Sequence, residues 1–249
     1  MLSKNLRSHN FYFLIFILSS SIFISSIKAQ NTTWYVTSAG MGNKSGSSWT
    51  NASNDLQMVI NAAVSGDEVR VGAGEYKARN VPETNEIDTF YGKACYYIVN
   101  KNLRLFGGYP SVGGSIRNAS LNRTILNADF QTHVLLTINL SAATRIDGFE
   151  LRGGFANNTI DVLTVAGASI SGIQGAGLYN YASSPTISNC VFASNLASRE
   201  GGGVANFAGS SPSFTDCVFA SNRGRGGAGY STNNSSTTFN NCVFSENST

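Results

Sequence analysis

The residues best suited to chemistry lie close together in the middle of the chain. Arg145, Asp147, Glu150 and Arg152 place two carboxylates between two guanidinium groups. A calcium-dependent lyase needs clustered carboxylates to hold its cation and a basic group to take a proton. Exposed charges that alternate along a strand produce the same pattern, and this is the interpretation that we favour. Either way, the four side chains are expected on the outer face of one turn of the fold.

The other reactive residue types favour structure over catalysis. His133 precedes an apolar run, which is typical of a structural histidine. The cysteines Cys95, Cys190, Cys217 and Cys242 lack the short spacings of a zinc site. The sequence contains no nucleophile elbow, phosphate-binding loop or zinc motif. We therefore predict no catalytic, cofactor-binding or metal-binding residue, and no cofactor.

The fold that must position these residues is clearest in residues 175–247, where one phrase occurs three times. Gly177, Gly203 and Gly229 recur every 26 residues, and each copy continues with Cys-Val-Phe and then an asparagine. Self-similarity at this period, without a helical pattern, is typical of stacked units made of short strands. The sequence therefore predicts an all-β solenoid, a parallel β-helix.

Alternation along a strand assigns a direction to each side chain of a repeat. The positions of Ile187, Cys190 and Phe192 are predicted to point inward and to stack on their equivalents. The asparagine after Phe is predicted at a bend, where it tolerates left-handed backbone and its amide can bond the next one. Because parallel side chains make poor disulfides, we favour three free repeat cysteines, with Cys95 unpaired or unassigned. Three valines should form an outward stripe, as a result of strand propensity or as a partner surface: Val191, Val218 and Val243.

Upstream of the repeats, the pattern is less regular. A strand at Trp34 and a helix of about three turns are predicted to cap the first rung in residues 34–66. The helix should begin after Ser53 or Asn54 and end at Gly66. Residues 67–174 are predicted as irregular rungs with a loop over 77–94, and residues 175–249 as regular repeats. Residues 146–154 can be laid over 187–195 as a degenerate copy, which makes 155–174 an insertion.

The first 29 residues are predicted to be a secretory signal peptide. Lys4 and Arg7 precede an apolar run, and a cut is expected after Ala29, with an uncleaved membrane anchor as the alternative. This leader holds three of the 17 basic residues and none of the 14 acidic ones, so the remaining chain is formally neutral. Neutrality argues against a nucleic-acid partner. Charged residues make up only 12% of the chain, as in turn-rich extracellular β proteins.

Two groups of residues resemble known families. The tetrapeptides at 192–195, 219–222 and 244–247 resemble the F-x-x-N element of polymorphic outer-membrane protein repeats. The glycines of the second element of that repeat, G-G-A before Ile, Leu or Val, occur at 175–178, 201–204 and 227–230 in altered order. The segments around Trp34-Tyr35-Val36 and 106–109 are similar to the start of large β-helix surface proteins of Bacteroidota-type bacteria. The resemblance implies a right-handed, pectin-lyase-like parallel β-helix on a secreted or surface protein.

From these features we expect a non-enzymatic scaffold for adhesion or surface presentation. It is expected to be secreted, or held at the cell surface or outer membrane of a Gram-negative-type bacterium. The alternative is a polysaccharide lyase or glycoside hydrolase of the same fold, although the N-T-D, paired Asp, H-G and R-I-K elements of polygalacturonases do not occur. Because the repeats stop at Thr249, we expect a truncated chain that is attached to the surface through a missing C-terminal part.

The expected partners are glycans or proteins of the host or cell surface. Arg223 and Arg225 lie in a glycine-rich segment, where they either meet an acidic glycan or are solvated in a loop. Sequons such as those at Asn118 and Asn234 follow from the composition and matter only in a glycosylating host.

Overall fold

The structure is a computed structural model that describes residues 31–77, 97–157, 162–231 and 234–249. Residues 31–249 form one compact unit. The predicted signal peptide at 1–29, nearly all of the predicted loop at 77–94 and Cys95 lie outside the described residues.

The described residues contain one α-helix and many short strands. The helix α1 spans Leu56–Ala62, and a 3-10 turn spans Trp49–Asn51. The strands are β1 Thr33–Val36, β2 Glu68–Gly72, β3 Gly74–Lys77, β4 Tyr97–Val99, β5 Arg104–Tyr109, β6 Thr124–Asn127, β7 Leu135–Ile138, β8 Arg145–Asp147, β9 Phe149–Arg152, β10 Phe155–Ala156, β11 Val162–Val165, β12 Ala168–Ser171, β13 Leu178–Tyr181, β14 Thr186–Ser188, β15 Val191–Ala193, β16 Leu196–Glu200, β17 Val204–Phe207, β18 Ser213–Thr215, β19 Val218–Ala220, β20 Arg223–Arg225, β21 Gly229–Ser231, β22 Thr238–Asn240 and β23 Val243–Ser245.

Apart from β11 and β12, these strands stack into parallel sheets that run along the fold. Sheet A has the order β1-β2-β5-β8-β14-β18-β22, and sheet B the order β23-β19-β15-β9-β6-β3. Sheet C has the order β21-β17-β13-β7-β4, and sheet D the order β10-β16-β20. A regular rung visits sheets C, A, B and D in turn, and each strand pairs in parallel with its equivalent one rung away. The predicted parallel β-helix with an N-terminal helix is confirmed.

The predicted inward positions form the core. Ile187, Cys190 and Phe192 are buried, and their equivalents in the second copy are buried as well. Phe192 stacks on Phe219 at 4.8 Å between ring centroids, as expected for identical side chains one rung apart. In the third copy Phe244 stacks in turn on Phe219 at 4.9 Å, with half of its surface exposed. The repeat cysteines are free, as predicted.

An asparagine ladder runs along the bend between sheets B and D. The Asn195 amide donates to Asn222 Oδ1 at 3.0 Å, and the Asn222 amide donates to Asn247 Oδ1 at 3.0 Å. The ladder is therefore confirmed. The left-handed residue is one position earlier than expected, at Ser194 and its equivalents Ser221 and Glu246, with φ of 53 to 55°.

The helix α1 is shorter than predicted and begins one or two residues later. Asp55, rather than Ser53 or Asn54, is the N-cap, since its carboxylate accepts from the Met58 N–H at 2.9 Å. The helix ends at Ala62 rather than near Gly66, because Ala63 already has extended backbone. Leu56, Val59 and Ile60 enter the core.

The capping helix α1 contacts the edge of sheet C through Gln57, a polar residue that the pattern of apolar residues does not indicate. Gln57 donates to the Ile98 carbonyl at 3.0 Å and accepts from the Ile98 N–H at 2.8 Å. Ile98 belongs to β4, the strand at the edge of sheet C. A single amide side chain thus occupies the backbone groups that an edge strand would otherwise leave open.

The irregular copy is also confirmed, but its insertion begins later than predicted, because Phe155 and Ala156 pair with Leu196 and Ala197 in sheet D. Ile146 pairs with Ile187, and Leu151 pairs with Phe192, as the overlay of 146–154 on 187–195 predicts. Within the insertion, β11 and β12 form an antiparallel hairpin. Its buried residues join those on the outer side of sheet C in a second apolar cluster: Leu136, Ile138, Val165, Ala168, Ile170, Tyr179 and Ala205.

Candidate functional site

The four charged residues between 145 and 152 lie on two different faces of one rung. Arg145 and Asp147 belong to β8 in sheet A, whereas Glu150 and Arg152 belong to β9 in sheet B. Gly148 forms the bend between the two strands with φ of +79°. The four residues therefore share one rung, as expected, but they are divided between two sheets because the chain turns a corner at Gly148.

Asp147 is a buried carboxylate whose oxygens are already occupied. It accepts from Arg145 Nη2 at 2.8 Å, from Ser188 Oγ at 2.6 Å and from Arg117 Nη2. Burial alone would raise the pKa of Asp147, but these hydrogen bonds outweigh it and lower the pKa below its usual value. A carboxylate with a lowered pKa that is held by two guanidinium groups is poorly placed to serve as a general base or to ligate a cation.

The sheet B half of the group is an ion-pair network. Glu150 pairs with Arg123 and lies 3.7 Å from Arg152, and Arg152 pairs with Glu75 at 2.6 Å. Hydrogen bonding from Asn127 to Glu75, helped by Arg152, lowers the pKa of Glu75 despite partial burial. The network crosslinks successive rungs on the outer side of sheet B.

Sequence reasoning missed the arginines that complete both groups. Arg117 and Arg123 come from residues 110–123, a segment with no period, and reach their acidic partners across 30 and 27 residues. A side chain added at Gly148 would collide with the Arg117 guanidinium, so the glycine is needed for this approach. An arginine in an aperiodic loop carries no sequence signal for its partner.

The outer side of sheet A carries a larger group, which we call the arginine face: Arg70, Arg104, Arg117 and Arg145 with the aromatic residues Tyr35, Trp49, Phe106 and Tyr109. Glu68 pairs with Arg70 at 2.6 Å and with Arg104 at 3.5 Å. The Arg117 and Arg145 guanidinium carbons each lie 5.4 Å from the centre of the Phe106 ring. Trp49, which begins the 3-10 turn before α1, lies edge-on to Tyr35, with 4.9 Å between the ring centroids.

Arg223 and Arg225 lie in a strand, so the interpretation that places this pair in a solvated loop is wrong. They form the ends of β20 in sheet D, and both are exposed. A groove of about 510 Å³ runs beside them, with Phe155 and Leu196 among its apolar walls and Thr249 also in its lining. Arg225 lies 3.4 Å from Glu200.

The remaining candidates have structural surroundings. His133 is completely buried, bonds to the Gln174 carbonyl at 2.9 Å and lies edge-on to Tyr179. The three repeat valines align in register on the outer side of sheet B, as predicted, with only Val243 more than half exposed. Asn118 and Asn234 are exposed.

Metal ligands and membrane-spanning helices are two further features on which a function could depend. Among the described residues, no group of three or more His, Cys, Asp or Glu side chains could hold a metal ion. Within the same ranges, no helix has the length and apolar character that a membrane span requires.

Comparison with known proteins supports the architecture. The right-handed β-helix region family matches residues 113–249, which is more than half of the chain. Neither the curated proteins nor the solved structures include a match. The match includes the degenerate rung, the insertion and all three regular repeats, and the sheets described above agree with it. The chain belongs to the right-handed β-helix family.

Proposed function

We propose that this protein is a non-enzymatic β-helix scaffold that binds partners through its outer faces. It acts as a secreted or cell-surface adhesion protein, with glycans or surface proteins as partners. The predicted leader at 1–29 and the resemblance to polymorphic outer-membrane protein repeats support this location.

The observation that carries the proposal is the state of the two central carboxylates. Asp147 is held by Arg117 and Arg145, and Glu150 by Arg123 and Arg152. An enzyme of this fold needs a base with a free lone pair, or carboxylates that can turn toward a cation. Here the acidic groups stabilise the stack, and the long exposed sheets remain as the feature available for function.

The proposal is tested by measuring binding and turnover on the same purified chain. Arrays of glycans and cell-surface proteins should yield at least one saturable partner. Incubation with pectic and other acidic polysaccharides should release neither unsaturated products nor new reducing ends.

Turnover would favour a lyase or hydrolase only if it depends on the candidate residues. The Asp147→Asn and Arg145→Gln variants test this dependence, and Ser188→Ala is the matched control, since Ser188 only donates to Asp147. Turnover that disappears in the first two variants and persists in the third, with circular dichroism unchanged, would refute the non-enzymatic proposal.

A further inference from the structure

We propose that the arginine face of sheet A binds an acidic glycan, with the anionic groups of the sugar on Arg104 and Arg145. This inference rests on the proposed function as a binding scaffold, and it names the surface and the class of ligand. It follows from three features of the face: an excess of positive charge, the register of two arginines, and an adjoining aromatic surface.

The arginine face has more guanidinium groups than carboxylates. Four arginines share Glu68 and Asp147, each of which is contacted by two of them. The acidic side chains are largely covered by the arginines, with 13% and 1% of their surface exposed, whereas those of Arg104 and Arg145 are 43% and 51% exposed. Solvent therefore meets positive charge on this face, although the chain after its leader is formally neutral.

The two exposed arginines are neighbours across the sheet. Arg104 pairs in register with Arg145, so their backbones are one strand spacing apart, about 4.8 Å. Like charges directly opposite each other on parallel strands repel. A carboxylate or sulfate between them would relieve that repulsion, since each guanidinium offers parallel N–H donors that match two anionic oxygens.

Aromatic rings extend the face toward the first rung. Trp49 contacts Tyr35 at 4.9 Å and Tyr109 at 5.3 Å between ring centroids. The Arg70 guanidinium lies 5.7 Å from the Tyr109 ring and 6.0 Å from the Tyr35 ring, which makes the arginines and the rings one continuous surface. Trp49 and Tyr35 are half-buried, so each presents an exposed part that can pack on the apolar side of a sugar ring.

These features favour a glycan over a nucleic acid, the other common polyanion. From β1 to β8 the face measures about 15 Å, which suits a short stretch of polysaccharide. Nucleic-acid binding takes its strength from roughly six to ten phosphate contacts. Two exposed arginines and a neutral chain do not supply that number.

The test measures binding of the purified chain to heparin, a sulfated probe, and to polygalacturonate, a carboxylated probe. Dextran is the uncharged control, and duplex DNA tests for general polyanion binding. The Arg104→Gln/Arg145→Gln double variant removes the proposed contacts. The matched control is Arg223→Gln/Arg225→Gln, which removes the same charge from sheet D. Thermal unfolding of each variant verifies the fold, and Arg104→Gln alone provides a milder change.

We expect one or both acidic glycans to bind and dextran not to bind. Each lost charge-assisted hydrogen bond should weaken binding by about tenfold, so the sheet A double variant should bind at least about tenfold more weakly than the control. In a Trp34→Phe background, the glycan should change the fluorescence of Trp49, the remaining tryptophan of the chain.

Equal losses in both double variants, a larger loss in the sheet D variant, or DNA binding as tight as glycan binding would each overturn the inference. So would binding of neutral glycans alone, although the scaffold function would then stand. Absence of any partner on the arrays would refute the scaffold function itself.

Discussion

Replacing Asn222 by alanine should destabilise the protein by several kcal/mol. The Asn222 side chain is fully buried, and it accepts from the Asn195 N–H at 3.2 Å and from the Asn195 amide at 3.0 Å. It donates to the Phe192 carbonyl at 2.8 Å and to Asn247 Oδ1 at 3.0 Å. At about 1 kcal/mol for each net hydrogen bond, the loss of all four lowers the free energy of unfolding by roughly 3 to 4 kcal/mol.

Urea unfolding followed by far-UV circular dichroism measures this loss, and amide hydrogen exchange at Asn195 locates it. The control is Asn240→Ala, which removes the same side chain from an exposed position in the last strand of sheet A and should change stability by less than about 0.5 kcal/mol. If Asn222→Ala costs no more than Asn240→Ala, or if exchange at Asn195 is unchanged, the ladder does not stabilise the stack and our reasoning fails.

Three further predictions concern buried reactive groups. Burial lowers the pKa of His133 from 6.5 to about 4, so its contribution to stability is complete above about pH 6.5 and falls as the pH drops toward 4. Between pH 7 and 4.5, the free energy of unfolding of His133→Phe should therefore fall by about 2 to 3 kcal/mol less than that of the wild type. An unchanged pH slope in urea titrations would contradict this. Burial opposes ionisation of Asp67, but its hydrogen bonds outweigh burial and lower its pKa. Asp67→Asn should thus cost about 2 to 4 kcal/mol at pH 7 in thermal or urea unfolding, with a gap to wild type that narrows below about pH 4; a constant gap would argue against the carboxylate as the cause. In a Cys95→Ser background, a thiol reagent should modify the half-buried Cys242 and leave Cys217 untouched until denaturant is added, and rapid native labelling of Cys217 would show that the core ladder opens.

Much of the fold could be predicted from the sequence because the same pattern of residues recurs in each repeat. Phe192 and Asn195 recur with their neighbours at the spacing of one rung, so direction, register and stacking follow from alternation alone. The N-cap of α1 was misplaced by only one or two residues, since Asp55, Asn54 and Ser53 are all suitable caps. The role of Gln57 could not be predicted, because a single amide that pairs with an edge strand leaves no period in the sequence.

A second asparagine ladder lies inside the core, between strands of sheet C. Asn180 and Asn206 occupy the same place in β13 and β17, and the amide of the first donates to the second at 2.6 Å inside the core. Thr137 contributes a hydroxyl to Asn180 in the preceding rung. The recurrence of asparagine after 26 residues was visible, but a polar residue among apolar ones in a strand is ambiguous until its neighbours are known to stack.

The candidate site was harder to predict, for a physical reason that also bears on function. In sheet A the outward column runs from Tyr35, Arg70, Phe106 and Asp147 to Ser188 and the small polar residues after it. In the regular rungs, the ladders fix which residue types occur, and the outward column carries small polar residues. The irregular rungs carry loops of varied length, and these loops bring Trp49 and Arg117 onto the sheet. Charged and aromatic side chains are therefore concentrated in the irregular rungs, whereas the regular repeats supply length and stability. For this reason, substitutions that abolish the proposed binding without unfolding the protein are expected on the outer side of the irregular rungs, and substitutions in the ladders are expected to affect both binding and stability.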